Sequence, residues 1–230
     1  MSDPRAIGPD VSHHDPVTSW SELIASPRQP SLIGIKATQG LDFTDPKLVY
    51  HRDGFRSSPL LFAVYYHYAV PGSARDQAHR LMDAVGPLQP NERLCLDLEV
   101  APAAGPAATL EWCEDFTSEL MGNACSDRRP MFYVDDRIWR ELVGNLAWNL
   151  GSAEVDLWVK RYSAGMLEPD LPRPWAAIGW TFWQWSDGKI PPSVWEGIGP
   201  VDTNYFKGTP QDLAEWVKGT GPDKEFQQTT

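Results

Sequence analysis

The sequence predicts an α/β fold, a single domain built as a closed barrel of eight strands. Three observations predict it. Short apolar or β-rich runs recur eight times, helix-like segments separate the early ones, and this alternation fades after residue 155, where Pro- and Gly-rich loops take over. Strands alternating with helices point to a parallel sheet. Eight strands within 230 residues suit a closed barrel better than an open sheet.

In chain order the strand runs are "RAIGPDVS", "SLIGIKAT", "PLLFAVYYHY", "ERLCLDLEV", "RPMFYVDD", "VDLWVKRY", "AIGWTFWQWS" and "GPVDTNYF". Helix-like segments follow the first four: "DPVTSWSELIAS", "TDPKLVYHRDGFRS", "SARDQAHRLMDAVG" and "AATLEWCEDFTSELMGNAC". In the last of these Leu110, Cys113, Phe116, Thr117 and Leu120 share one helical face. The later strands are joined by "SAGMLEPDLPRPWAA" and "DGKIPPSVWEGIG", which favour loops over helices. Neither an internal repeat nor a linker is evident, so one domain over residues 1–218 is expected, with 219–230 a loose tail.

Composition narrows the function. A formal net charge of −11 with no basic run disfavours nucleic acid as a partner and attraction to anionic membranes. No apolar run reaches the roughly 18 residues of a membrane span, so membrane insertion is not expected. The start, "MSDPRAIGPDVSHHDP", lacks a basic segment followed by an apolar one, so no cleavable leader is expected and synthesis in the cytoplasm follows. Cys95, Cys113 and Cys125 form no CxxC pair, which disfavours a disulfide framework or a zinc site and reads as three buried thiols. "HHD" at His13 and His14 has no second ligand cluster to complete a metal site. The sequence has no G-x-S-x-G and no phosphate-cradling glycine loop, against serine-hydrolase or nucleotide chemistry. No metal or organic cofactor is expected. Eleven tryptophans, eight of them beyond residue 147, fit either a Trp-rich core or a groove whose indoles stack on sugar rings.

The chemistry is carried by "LCLDLEV", residues 94–100. In a parallel barrel, function gathers at the C-terminal ends of the strands. Asp10 ends the first strand, Asp97 and Glu99 end the fourth, and Asp202 lies in the eighth. Residues two apart in a strand face the same side, with Cα atoms roughly 6.5–7 Å apart. Two carboxylates so placed repel when both are ionised, which raises the pKa of one. A protonated acid beside an anion is what glycoside hydrolysis requires. The plainer reading pairs these acids with Lys36, Lys160 or Arg161, or makes them helix caps.

Taken together, "DVSHHDP", "IGIKATQGLDFTDP", "VYYHYAVPGSARDQAHRLM", "LCLDLEV", "MFYVDD", "LWVKRY", "FWQWSDG" and "VDTNYFKG" occur in an order that resembles the glycoside hydrolase family 25 lysozymes, muramidases of the Chalaropsis type. The resemblance runs from about Asp10 to Phe206. It implies a TIM-like (β/α)5β3 barrel and retaining hydrolysis of the β-1,4 bond between N-acetylmuramic acid and N-acetylglucosamine. It makes Glu99 the general acid and Asp97 either the nucleophile or the anion that assists the substrate's N-acetyl group. Asp10 and Asp202 match the two further acids of the groove floor. Lys36, Tyr66, His67, Tyr133, Trp158 and Gln184 match positions that hydrogen-bond or stack on the sugar.

Two departures from the family pattern stand out. Gln39 replaces the Glu of "KATEG", and Val64 and Tyr65 occupy positions where a Gly and a small residue are common, so the third strand is expected to be crowded at its mouth. The partner implied is bacterial peptidoglycan, reached after release or export from the cytoplasm, and a monomer is expected. A catalytically silent glycan-binding or virion structural barrel is the alternative, which the presence of all four acids disfavours.

Overall fold

Alternating side chains build the barrel, one set of each strand turned to its centre and the other to a surrounding layer of helices. In the computed structural model, residues 4–125, 128–144, 146, 148, 155–162, 168–189 and 194–219 are described. The strands are β1 (Ile7–Val11), β2 (Leu32–Gln39), β3 (Phe43–Thr44), β4 (Phe62–Tyr68), β5 (Glu92–Asp97), β6 (Met131–Val134), β7 (Asp156–Lys160), β8 (Phe182–Asp187), β9 (Val194–Trp195), β10 (Gly199–Pro200) and β11 (Asp202–Phe206). The helices are α1 (Trp20–Ile24), α2 (Leu48–Arg56), α3 (Ala74–Val85), α4 (Pro106–Asn123), α5 (Asp136–Leu142) and α6 (Pro210–Val217). The barrel runs β1-β2-β4-β5-β6-β7-β8-β11 and closes through pairing of β1 with both β2 and β11. β3 is a short antiparallel extension of β2, and β9 pairs with β10 outside the barrel.

A helix follows each of the first five barrel strands, and among the described residues the last three barrel strands are joined without full helices, as the fading alternation predicts. The fifth helix, α5, escapes a periodicity reading because seven residues hold too few turns to show one. It is set instead by its cap: Asp135 Oδ1 accepts the Ile138 N–H at 2.5 Å. One strand departs from the parallel pattern. β11 is antiparallel to both β8 and β1, so its first residue, Asp202, stands at the mouth where the other strands end.

The two faces form two cores. Outward residues such as Ile33, Ile35, Tyr65, Leu94, Leu96, Phe132 and Val159 pack against the helices. Inward residues such as Val64, Cys95, Met131, Tyr133 and Trp158 fill the barrel. At its lower end Phe62, Phe182 and Phe206 close around Trp216 of α6, with ring centroids 5.3 to 5.8 Å from the indole. α6 is fixed by a capping box between Thr209 and Asp212. The barrel is therefore plugged at the bottom by Trp216 and the three phenylalanines.

Most of the tryptophan excess belongs to the outer core. Trp139, Trp148 and Trp175 surround Phe132, and Trp183, Trp185 and Trp195 are fully buried. All three cysteines are free and buried. Among the described residues, no helix is long and apolar enough to cross a membrane. Apart from Gly219, the expected tail of residues 219–230 lies outside the described residues.

Candidate active site

A cavity of about 250 Å³ opens at the upper end of the barrel, lined by Asp10, Lys36, Tyr66, Tyr68, Asp97, Glu99, Tyr133, Trp158, Tyr162, Gln184 and Asp202. Nine of the ten residues singled out from the sequence therefore meet here, from eight different strands and one loop. Asp97 is the last residue of β5 and Glu99 lies two residues on. Both reach the cavity, while Leu96 and Leu98 turn to the helix layer, fully buried. The period-two spacing survives past the end of the strand because Leu98 N–H still donates to Tyr133 O at 3.0 Å.

The acids differ in environment. Burial pushes the Asp97 carboxyl well above the usual carboxylate range. The charge of Glu99 adds to this, and the ammonium groups of Lys160 and Lys36 oppose it. Asp97 Oδ1 is buried without a hydrogen-bond partner. Glu99 is more open and forms an ion pair with Lys160, the last residue of β7. Burial also raises Asp10 to about 6, against the pull of hydrogen bonds from Asn204 and Gln184. Asp202 is raised to about 8 by burial and by repulsion from Asp10, Asp187 and Asp15.

Gln184 is the hub of the floor. Its Nε2 donates to Asp10 Oδ2 and Asp202 Oδ2, each at 3.1 Å, and its Oε1 accepts from Tyr133 Oη at 2.7 Å and Tyr162 Oη at 3.1 Å. One amide thus spans two acids and two phenols with every donor and acceptor used in the right sense. Trp158 stands edge-on to Tyr133 and Tyr66, at 5.0 and 6.0 Å between centroids. Lys36 Nζ donates to Gln39 Oε1 at 3.0 Å and lies 5.3 Å from the Tyr68 ring centroid. The Gln that departs from the family pattern is thus a neutral partner for a groove lysine.

His67 is the residue the structure does not bring to the cavity. Tyr66 faces in, so its neighbour faces out. There His67 Nδ1 accepts from Thr38 Oγ1 at 2.8 Å, and Nε2 donates to Gln77 Oε1 at 2.9 Å. Burial lowers its pKa to about 4, and it is a neutral strut between β2, β4 and α3. The crowding expected at the mouth from Val64 and Tyr65 is also absent. Val64 fills the barrel below Tyr66, and Tyr65 points outward, donating to Glu92 Oε1 at 2.8 Å. Of the two adjacent histidines, His13 bonds the buried Asp45 at 2.8 Å, and His14 is exposed.

Several groove residues were not singled out from the sequence. Tyr68 lies two residues beyond Tyr66, and Asn204, buried and bonded to the groove residues Asp10 and Trp158, two beyond Asp202, so period two could have found both. Lys160 figured only as a neutralising partner. Tyr162 follows β7 in a loop, where no periodicity applies. Among the described residues no group of three or more His, Cys, Asp or Glu is disposed to hold a metal ion. Instead, the arrangement offers carboxyls of unequal proton affinity facing one another across a cavity walled by aromatic rings.

Comparison with known proteins agrees with this geometry. The sequence profile described as Glycosyl hydrolases family 25 matches residues 9–194. The Escherichia coli K12 protein named uncharacterized protein YegX is 29% identical over 188 residues, which is 80% of this chain and 62% of the relative. The chain thus spans under two thirds of the length of the curated relatives it matches. The muramidase from Acremonium alcalophilum superimposes with a TM-score of 0.77 at 26% identity, covering 94% of this chain and 100% of that one. The bacterial lysozyme from Streptomyces coelicolor shares the fold with a TM-score of 0.80 at 24% identity, over 94% of this chain and 99% of that one.

Proposed function

The chain belongs to glycosyl hydrolases family 25, and from that premise we propose that it is an N-acetylmuramidase. It cleaves the β-1,4 bond between N-acetylmuramic acid and N-acetylglucosamine in bacterial peptidoglycan, with retention of configuration. One observation carries the reading. Asp97 and Glu99 enter one cavity from adjacent inward positions, one buried and rich in proton affinity, the other open and ion-paired with Lys160.

Glu99 is the proton donor to the leaving oxygen. Asp97 is its anionic partner, set either against the anomeric carbon or against the substrate's own acetamido group. Burial by itself favours the proton on Asp97 instead. A sugar entering the cavity displaces Lys160 from Glu99, and the proton moves to the outer carboxyl while Lys160 and Lys36 stabilise the charge left on Asp97. Asp10 and Asp202, held by the Gln184 amide, orient the pair and bind sugar hydroxyls. Tyr66, Tyr133 and Trp158 form the wall against which the sugar packs. The enzyme acts as a monomer, is made in the cytoplasm and reaches the wall after release or export.

Digestion of purified peptidoglycan tests this. The wild type is expected to free reducing ends of muramic acid, and Glu99→Gln to lose about 10²–10⁴ in rate, the usual worth of a positioned proton donor. Glucosamine ends, or an undiminished Glu99→Gln, would overturn it.

A further inference from the structure

Asn204, on the inward face of β11, is almost fully buried at 1% exposure and has no part in the chemistry above. Its side chain joins two groups that do. Asn204 Nδ2 donates to Asp10 Oδ2 at 2.7 Å, and Asn204 Oδ1 accepts from Trp158 Nε1 at 2.8 Å. The amide can sit only one way round. An indole N–H is a donor only and demands the carbonyl oxygen, which leaves the NH2 for the carboxylate. The second Nδ2 proton points to Gly8 O at 3.4 Å, anchoring the amide to the backbone of β1.

We propose that Asn204 is a positioning residue for glycan cleavage, locking the Asp10 carboxyl of β1 and the Trp158 indole of β7 into one unit. Two further contacts make the unit rigid. At its far edge Trp158 Cη2 abuts Gly34, where a Cβ would lie 2.8 Å away, so the ring is held at both ends. On Asp10, both hydrogen bonds fall on Oδ2, from Asn204 and from Gln184. With both bonds on one oxygen, the carboxyl cannot rotate without breaking them. Acid and sugar-facing wall therefore keep one spacing, which is the condition for a substrate to meet both at once. The inference rests on the muramidase reading for its consequence in catalysis, but the coupling itself can be measured without any substrate.

The charge state of Asp10 must reach Trp158 through Asn204. Asp10 is faced by Asp15 from the loop after β1, by Asp97 and Glu99 from β5 and beyond, by Asp202 from β11, and by the phenols of Tyr66, Tyr133 and Tyr162. Its own change is isolated by substitution. In ¹⁵N-labelled protein the Trp158 indole resonance, identified by its loss in Trp158→Phe, is expected to shift with a midpoint near 6 in the wild type. The shift should disappear in Asp10→Asn and fall about tenfold in Asn204→Ala, where the through-bond path is gone. Asn204→Asp is nearly isosteric and keeps the acceptor for Trp158, so it serves if the alanine variant folds poorly. It sets a second carboxyl against Asp10, and the midpoint should move up.

On peptidoglycan, Asn204→Ala is expected to lower kcat about 10- to 100-fold, with a smaller change in KM. Added to Asp10→Asn it should cost little more, because both act on the same group. A Trp158 resonance that titrates equally with and without Asn204, or losses that simply add, would overturn the proposal. A wild type without activity on peptidoglycan would overturn the muramidase reading instead, and the resonance would still decide the coupling.

Discussion

Gly34 of β2 lies directly beside Asp10 of β1, so close that a Cβ at position 34 would stand 2.4 Å from the Asp10 Cβ. The same Cβ would meet Trp158 Cη2, so the absent side chain at position 34 is what lets the acid and the indole come together. The two strands are paired in register here, Asp10 with Gly34, which leaves no freedom to slide. Gly34→Ala is therefore expected to cost about 1–3 kcal/mol through overpacking, and to lower activity on peptidoglycan about 10²-fold by displacing Asp10. Thermal unfolding and a reducing-sugar assay measure the two effects. A fully active Gly34→Ala would show that Asp10 tolerates displacement.

Asp202 makes stability depend on pH. Its folded value is about 8 against an ordinary 3.8, and that of Asp10 about 6. Raised acids contribute stability that is complete below the ordinary value and lost as pH rises through the folded one. His51 and His67, both lowered to about 4 from 6.5, give the opposite slope, but theirs is complete above about 6.5. Between pH about 6.5 and 9, then, the protein should lose stability as pH rises, and Asp202→Asn should flatten that slope. Each 1 kcal/mol recovered would raise Tm by about 2–4 °C in a domain of this size. Melting curves of both proteins at pH 6.5 and 9 supply the comparison, and parallel slopes would refute the assignment.

His67 supports the structure from outside the groove. Its replacement by Ala leaves the Thr38 and Gln77 side chains without their buried partner, at a cost of about 1–3 kcal/mol. Assayed well below Tm, kcat and KM should remain near wild-type values, and the pH profile should show no loss of a group titrating near 6.5. A large fall in kcat with unchanged stability would place the imidazole back in the groove.

Tyr162 stands at the rim, 40% exposed, with its hydroxyl on Gln184. Under the muramidase reading, a half-open aromatic beside the cavity is placed to pack on a glycan more than on the core. Tyr162→Ala is expected to raise KM about 2- to 10-fold, the worth of one aromatic contact, and to shift stability by no more than about 0.5 kcal/mol. Tyr162→Phe separates the two parts of the residue, since it keeps the ring and loses only the bond to Gln184.

Local spacing was enough to set Asp97 and Glu99 on one face of a strand, to place Asp10 at the end of another, and to anticipate eight strands with four early helices fading into loops. These features follow from the two-residue period of a strand and from turn chemistry, which act over a few residues and are written in them. Everything that distinguishes one acid from the next came from elsewhere. Lys160 reaches Glu99 across 61 residues, and Asn204 and Gln184 hold Asp10 across 194 and 174. Whether Tyr66 or His67 turns inward depends on how β4 is phased against its neighbours, which alternation within one strand does not fix. The reversal of β11 brought Asp202 to the mouth by its first residue instead of its last. Proton affinity was decided last of all, because it depends on how much water each carboxyl loses and on which charges surround it, and both exist only once the barrel has closed.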